Sequence, residues 1–170
     1  WLRANRTAPQ ILVGHSLGGA AVLAAASRVP EAHAVATRGA PFEPAHVTRL
    51  LATSIEEINA AGEAEVNIGG RPFRVKKQFL DDLGRHELSK TIGALRKALL
   101  ILHSPRATIV DIDNAAKIFL AAKHPKSFVS LDTADHLLTR HEDAAYAAGV
   151  LAAWASRYLD KVDAPEIVQN

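Results

Sequence analysis

The chain has 170 residues, of which 48% are hydrophobic and 22% are charged, and its formal net charge is +2. This balance is typical of a globular domain with one core, and so small a positive excess predicts no nucleic-acid-binding face. Cysteine is absent, which excludes disulfides, thiolate metal ligands and a cysteine nucleophile. No apolar run reaches the roughly 18 residues of a membrane helix, and no signal peptide is visible, so we expect a cytoplasmic protein without a membrane partner.

Short apolar runs alternate with helical segments along the chain. After a helix end at 1–5, the pattern predicts strand 10–14, helix 16–28, strand 32–38, helix 45–61, helix 78–97, strand 98–103, helix 113–123, strand 126–131 and helix 141–159. This alternation predicts an α/β fold, with a parallel sheet of about four strands between flanking helices.

One segment interrupts the alternation. Within residues 65–77, two alternating runs flank Gly69-Gly70, a pattern typical of a β-hairpin. The hairpin and its neighbouring helices form an insertion at about 45–97, between the second and third strands. We therefore expect one domain over 1–160 and a loose C-terminal tail over 161–170.

A serine lies between the first strand and the helix that follows it, in Gly14-His15-Ser16-Leu17-Gly18-Gly19. A sharp strand-to-helix turn, called the elbow below, presents such a serine as a nucleophile. Gly14 and Gly18 are the small residues that this tight turn needs. The Leu17 N–H, at the helix N-terminus, is the expected oxyanion donor. The alternative is a serine that only caps the helix.

A serine hydroxyl needs a base, which in this order of elements lies downstream. His136 is the preferred candidate because it follows the fourth strand and precedes a helix. His15 is expected to pack or hydrogen-bond inside the turn. His103, at the end of the third strand, reads as a satisfied core histidine, and the remaining histidines as surface or loop residues.

Four segments carry a family likeness: GHSLGGAAVLAAA at 14–26, LHSP at 102–105, DNAAKIF at 113–119 and HPKSFVSLDTADHLLTR at 124–140. Through them the chain resembles the α/β-hydrolase superfamily, and within it bacterial hydrolases that occur alone or fused to an osmotically-inducible-protein-type domain. The resemblance implies hydrolysis of a small carboxylic ester by a Ser–acid–His triad, without a cofactor. No cluster has metal-ligand spacing.

The chain departs from this family at the acid. The resemblance implies H-[SA]-P-x-D after the third strand, but residue 107 is alanine. Asp111, four residues on, is the first candidate for a replacement acid, and Glu43, after the second strand, is the alternative. An inactivated site is the third possibility, since loss of the acid costs on the order of 10⁴-fold in rate in well-studied triads.

The chain also departs from the family at its front. The resemblance implies about four strands before the strand that leads to Ser16 (the elbow strand), where this chain has only a few residues. We therefore expect a truncated α/β-hydrolase fold, either a fragment or a minimal form. The elbow strand would then be a bare apolar edge, which proteins rarely leave unpaired. We therefore expect a homodimer through this edge, whose partner could add an oxyanion donor.

Two functions of different classes follow. The first is a serine esterase that cleaves short-chain carboxylic esters through an acyl-enzyme, with Phe73 and Phe79 either lining an acyl pocket or forming the hairpin's own core. The second is a catalytically weakened or inactive hydrolase module that acts in binding or assembly. Ala107 and the short front favour the second.

Overall fold

The architecture is a parallel sheet between helices, with a separate hairpin, as seen in a computed structural model that describes residues 1–43, 51, 53–68, 71–83 and 87–159. The strands are β1 (Ile11–His15), β2 (Ala34–Arg38), β3 (Glu63–Ile68), β4 (Arg71–Lys76), β5 (Ala98–His103) and β6 (Lys126–Ser130). The helices are α1 (Leu2–Asn5), α2 (Leu17–Ala25), α3 (Ile55–Ala61), α4 (Lys77–Leu83), α5 (Leu88–Gly93), α6 (Asp113–Ala121) and α7 (His141–Ala155). The expected α/β class and parallel sheet are confirmed.

The main sheet has the strand order β1-β2-β5-β6, and every neighbouring pair is parallel. All six residues of β5 are buried, which is why its sequence is apolar throughout instead of alternating. One face, with Val35, Leu99 and Ile101, packs under α2, α5 and α6. The other, with Ala36 and Leu100, packs under α7.

The inserted hairpin is also confirmed: β3 and β4 pair antiparallel, with Val66 beside Phe73. It has a core of its own, separate from the two cores of the main sheet, formed with α3 by Leu51, Ile58, Ala64, Val66 and Val75. The Gly69-Gly70 turn, residues 45–50 and 52 of the predicted helix 45–61, the predicted break at Gly84 and the tail 161–170 lie outside the described residues.

Several predicted helices end earlier than expected. The helix predicted over 16–28 continues after Ala25 as a 3₁₀ turn. That over 78–97 is two helices, the second of which ends at Gly93; Arg96, at φ 50°, has a left-handed backbone through which a right-handed helix cannot continue. Within the described residues, we find no helix with the length and apolar character that crossing a bilayer requires.

The turn between β1 and α2 depends on a close backbone approach. A Cβ atom on Gly14 would lie 2.2 Å from the Gly18 carbonyl oxygen, and one on Gly19 would lie 2.5 Å from the Ala40 Cβ. A Cβ on Gly18 itself would meet no described atom within 4 Å. The close packing therefore leaves no room for a Cβ atom at residues 14 and 19. The prediction that the turn also needs a small residue at Gly18 is wrong, because a Cβ atom there has space.

We predict that Gly14→Ala lowers the free energy of unfolding by about 3 kcal/mol or more, because backbone on both sides must move to admit the methyl group. Gly18→Ala is the matched control and should change it by less than about 1 kcal/mol. Urea unfolding measures both values. Equal losses in the two variants would contradict the packing described for this turn.

Candidate active site

Four segments converge at the carboxyl edge of the sheet, where α/β proteins place their ligand sites. β1, β2 and β5 end in His15, Arg38 and His103, and the loop after β6 carries His136. The elbow serine follows β1 directly. The topology therefore brings together the predicted nucleophile and the predicted base, which are 120 positions apart in the sequence.

Ser16 has an unusual backbone, with φ 53° and ψ −127°. Such a conformation costs a non-glycine residue on the order of 1–3 kcal/mol and persists only where the surroundings impose it. Its N–H donates to the Arg38 carbonyl oxygen (2.8 Å), and its carbonyl accepts from the Gly19 N–H (2.8 Å). The side chain makes no capping hydrogen bond, so its hydroxyl is not used as a helix cap.

Leu17 is the first residue of α2, so its N–H has no acceptor within the helix. The N-terminus of that helix presents such N–H groups beside Ser16, which suits a developing negative charge on oxygen. Leu17 therefore lies where the sequence predicted an oxyanion donor, and that role stays a prediction.

The loop that carries His136 is fastened through the carbonyl oxygen of that residue. The oxygen accepts hydrogen bonds from His15 Nε2 (3.0 Å) and from Arg38 Nη1 (2.5 Å). The His15 and His136 rings also lie close, with centroids 4.7 Å apart. Burial, more than any other cause, lowers the pKa of His15 to about 4, so its ring is neutral near pH 7 and donates from Nε2.

The same loop is shaped from within by Asp135. Its carboxylate accepts from the Leu137 N–H (2.7 Å), the Thr139 N–H (3.2 Å) and the Thr139 hydroxyl. The backbone of Leu138, between these donors, is left-handed at φ 54°. Asp135 therefore holds the loop around His136 and makes no hydrogen bond to that ring.

The His136 ring lies half-buried against Gly39. A Cβ atom at Gly39 would lie 3.2 Å from His136 Nδ1, and the left-handed backbone there, with φ +55°, would strain any other residue. Glycine therefore suits this position beside the ring. Burial lowers the pKa of His136, and the positive charge of Arg38 and the neighbouring His103 lower it further. The ring is therefore a neutral base near pH 7. Its Nδ1 is buried and has no hydrogen-bond partner among the described residues.

A small cavity of about 10 Å³ lies beside this ring. Its lining is Arg38, Gly39, His103, Ser104, Ala107, Leu131, Asp135 and His136. Ala107, which stands at the expected acid position, thus shares a cavity with the predicted base.

Neither candidate for a replacement acid hydrogen-bonds to His136 in the described structure. Asp111 is exposed, and its Oδ1 accepts from the Asp113 N–H at the start of α6 (2.8 Å). Glu43 is exposed after β2, at the end of a described segment. The acid role of either residue stays a prediction.

His103 differs from the expected satisfied core histidine. It is buried, at 1% exposure, and its Nε2 lies 2.8 Å from the Val110 carbonyl oxygen. Its Nδ1 is buried without a hydrogen-bond partner among the described residues. Burial lowers its pKa, so the ring is neutral. Neither this half-satisfied state nor the roles of Arg38 and Gly39 have a signal in the sequence.

Two grooves meet at Leu17. One, of about 720 Å³, is lined also by Phe73 and Phe79 from the hairpin region, and the other, of about 220 Å³, by Phe79 and residues of α2. The two phenylalanines therefore face a groove that reaches the residue after Ser16.

In the part of the chain that the structure describes, we find no cluster of three or more His, Cys, Asp or Glu residues that could hold a metal ion.

Solved structures resemble this chain closely. The esterase domain from a Rhodothermus marinus protein is 55% identical, with a TM-score of 0.80, over 92% of this chain and 65% of that one. Mouse alpha/beta hydrolase domain-containing protein 10 is 22% identical, with a TM-score of 0.67, over the same shares of 92% and 65%. Est1E from Butyrivibrio proteoclasticus is 19% identical, with a TM-score of 0.65, over 84% and 60%.

The last two similarities show the fold alone. The chain spans about 65% of the length of the Rhodothermus domain. No family model matches the chain, and no curated protein sequence matches it.

We predict that Arg38→Met raises the pKa of His136, because a positive charge that disfavours the imidazolium is removed. Arg38→Lys keeps the charge and is the control. Titration of the His136 ring followed by NMR measures the pKa without any need for turnover. An equal pKa in the two variants would contradict an electrostatic effect of Arg38.

Proposed function

Because this chain belongs to the α/β-hydrolase superfamily, we propose that it is a serine hydrolase of carboxylic esters, with Ser16 as the nucleophile and His136 as the base. One observation carries the proposal: Ser16 is held at φ 53° with its hydroxyl free of capping, beside the loop of a neutral, half-buried histidine. The 55% identity to an esterase domain supports an ester as the substrate.

In the proposed reaction, the Ser16 oxygen attacks the ester carbonyl carbon while His136 Nε2 takes the hydroxyl proton. The Leu17 N–H stabilises the negative charge that develops on the carbonyl oxygen. The tetrahedral intermediate collapses, and His136 returns the proton to the leaving alcohol. Water, activated by the same nitrogen, then cleaves the acyl-enzyme and restores the serine.

The substrate we propose is a short, uncharged ester. The groove beside Leu17 is lined by Phe73 and Phe79, which suits a small apolar acyl group. Arg74 and Lys76 also line it, and we interpret both as a solvated rim.

A fluorophosphonate probe tests the proposal. We expect one phosphonyl adduct per chain, located at Ser16 by mass spectrometry, and slow turnover of p-nitrophenyl acetate. Ser16→Ala should abolish both. Ser156→Ala, which changes a serine at the end of α7, should leave both unchanged and is the control.

The rival proposal is a weakened or inactive hydrolase module that acts in binding or assembly. Ala107 at the acid position favours it, because an unoriented histidine catalyses on the order of 10⁴-fold more slowly in well-studied triads. A well-folded chain with neither an adduct nor turnover would support this rival and refute the esterase.

We also propose that the outer edge of β1 pairs with a second copy of the chain. Within the described sheet β1 is an outer strand, and Val13, at its middle, is 54% exposed. Light scattering after size exclusion should give twice the mass of the chain; a stable monomer would contradict the dimer. The cytoplasmic location stays a prediction, as does the likeness to hydrolases that occur alone or fused to an osmotically-inducible-protein-type domain.

A further inference from the structure

We infer that His103 positions His136 through one bound water molecule in the cavity beside Ala107, and so takes over the orienting task of the absent acid. The inference rests on the proposed role of His136 as the base. It makes His103 a positioning residue, since it would act on the base and would not touch the substrate.

The tautomer of His103 follows from its one hydrogen bond. Nε2 lies 2.8 Å from the Val110 carbonyl oxygen, and because a carbonyl only accepts, Nε2 must carry the hydrogen. A neutral imidazole has a single N–H, so His103 Nδ1 has a free lone pair. That atom is buried and has no partner among the described residues, so it is an acceptor in need of a donor.

The tautomer of His136 follows from its proposed task. A base that takes the Ser16 proton at Nε2 must hold its own hydrogen at Nδ1. His136 Nδ1 is likewise buried and has no partner among the described residues. The two rings therefore offer one buried donor and one buried acceptor, and leaving either without a partner destabilises the folded state.

The cavity fits a water molecule in size. Both rings line it, and its volume of about 10 Å³ is close to the ~10–15 Å³ that one water needs. Other polar groups of its lining are already engaged: the Ser104 hydroxyl donates to the Asp132 carbonyl (3.1 Å), and Arg38 donates to the His136 carbonyl.

Water also fits in its hydrogen bonding. It can accept from His136 Nδ1–H and donate to His103 Nδ1 at the same time. Such a bridge fixes the His136 tautomer but lacks the full negative charge that stabilises an imidazolium, so we expect weak activity instead of none.

Two substitutions at His103 separate the bridge from general packing. His103→Gln keeps a side-chain N–H for the Val110 carbonyl and removes the acceptor at Nδ1. His103→Asn keeps a polar atom near Nδ1 and loses the Val110 bond. We expect Gln to lower kcat by about tenfold or more, with KM unchanged, and Asn to keep most of kcat despite a lower stability. The reverse order would overturn the inference.

A double-mutant cycle with Ala107→Asp supplies the second test. The new carboxylate should displace the water, bond His136 Nδ1 directly and raise kcat by about tenfold or more. In that background His103→Gln should lose its effect on kcat. An equal effect of His103→Gln on kcat in both backgrounds would overturn the inference. The inference would also fail if Asp111→Ala lowered kcat and Ala107→Asp restored it, because Asp111 would then be the orienting acid.

Nitrogen-15 NMR of the imidazole rings tests the bridge without turnover. We expect His136 in the Nδ1–H form in the unmodified chain and a mixture of tautomers in His103→Gln. Unchanged tautomers would overturn the inference even if ester hydrolysis is found. Conversely, a chain that shows the expected tautomers but no adduct at Ser16 would keep the bridge and refute the esterase.

Discussion

The carbonyl oxygen of His136 is the point on which the site depends. One donor, His15, lies inside the elbow, and the other, Arg38, ends β2, whose carbonyl also receives the Ser16 N–H. The turn after β1, the end of β2 and the loop that carries His136 are thus joined by hydrogen bonds that involve the adjacent residues His15 and Ser16. Two of these bonds have side-chain donors, so the arrangement depends on His15 and Arg38 as well as on the path of the chain.

The fold was largely predictable from the sequence, and the site only in part. Apolar runs ending at glycine or a polar residue identify β1 and β5, and the run in β5 is unbroken because that strand is buried on both faces. Helix ends were less predictable, because stops such as the left-handed Arg96 carry no signal in an arginine. The elbow and His136 were found because the first has a sequence signature and the second follows from chain order.

What the sequence could not predict arises from contacts between distant segments. Nothing in the letters of β2 indicates that Arg38 reaches the loop after β6, or that Gly39 makes room for a ring 97 positions away. The half-satisfied state of His103 also depends on the path of the chain to Val110. An alanine at residue 107 signals what is missing, whereas only the geometry shows which atoms are left without partners.

The separate core of the hairpin has a consequence for how such a protein can diverge. Ile58, Val66 and Val75 pack within that small core, while the sheet that holds Ser16 and His136 has two cores of its own. Phe73 and Phe79 extend from this unit toward the groove. Related proteins could therefore exchange or reshape the hairpin to accept new substrates, while the sheet and the side chains at its carboxyl edge stay unchanged.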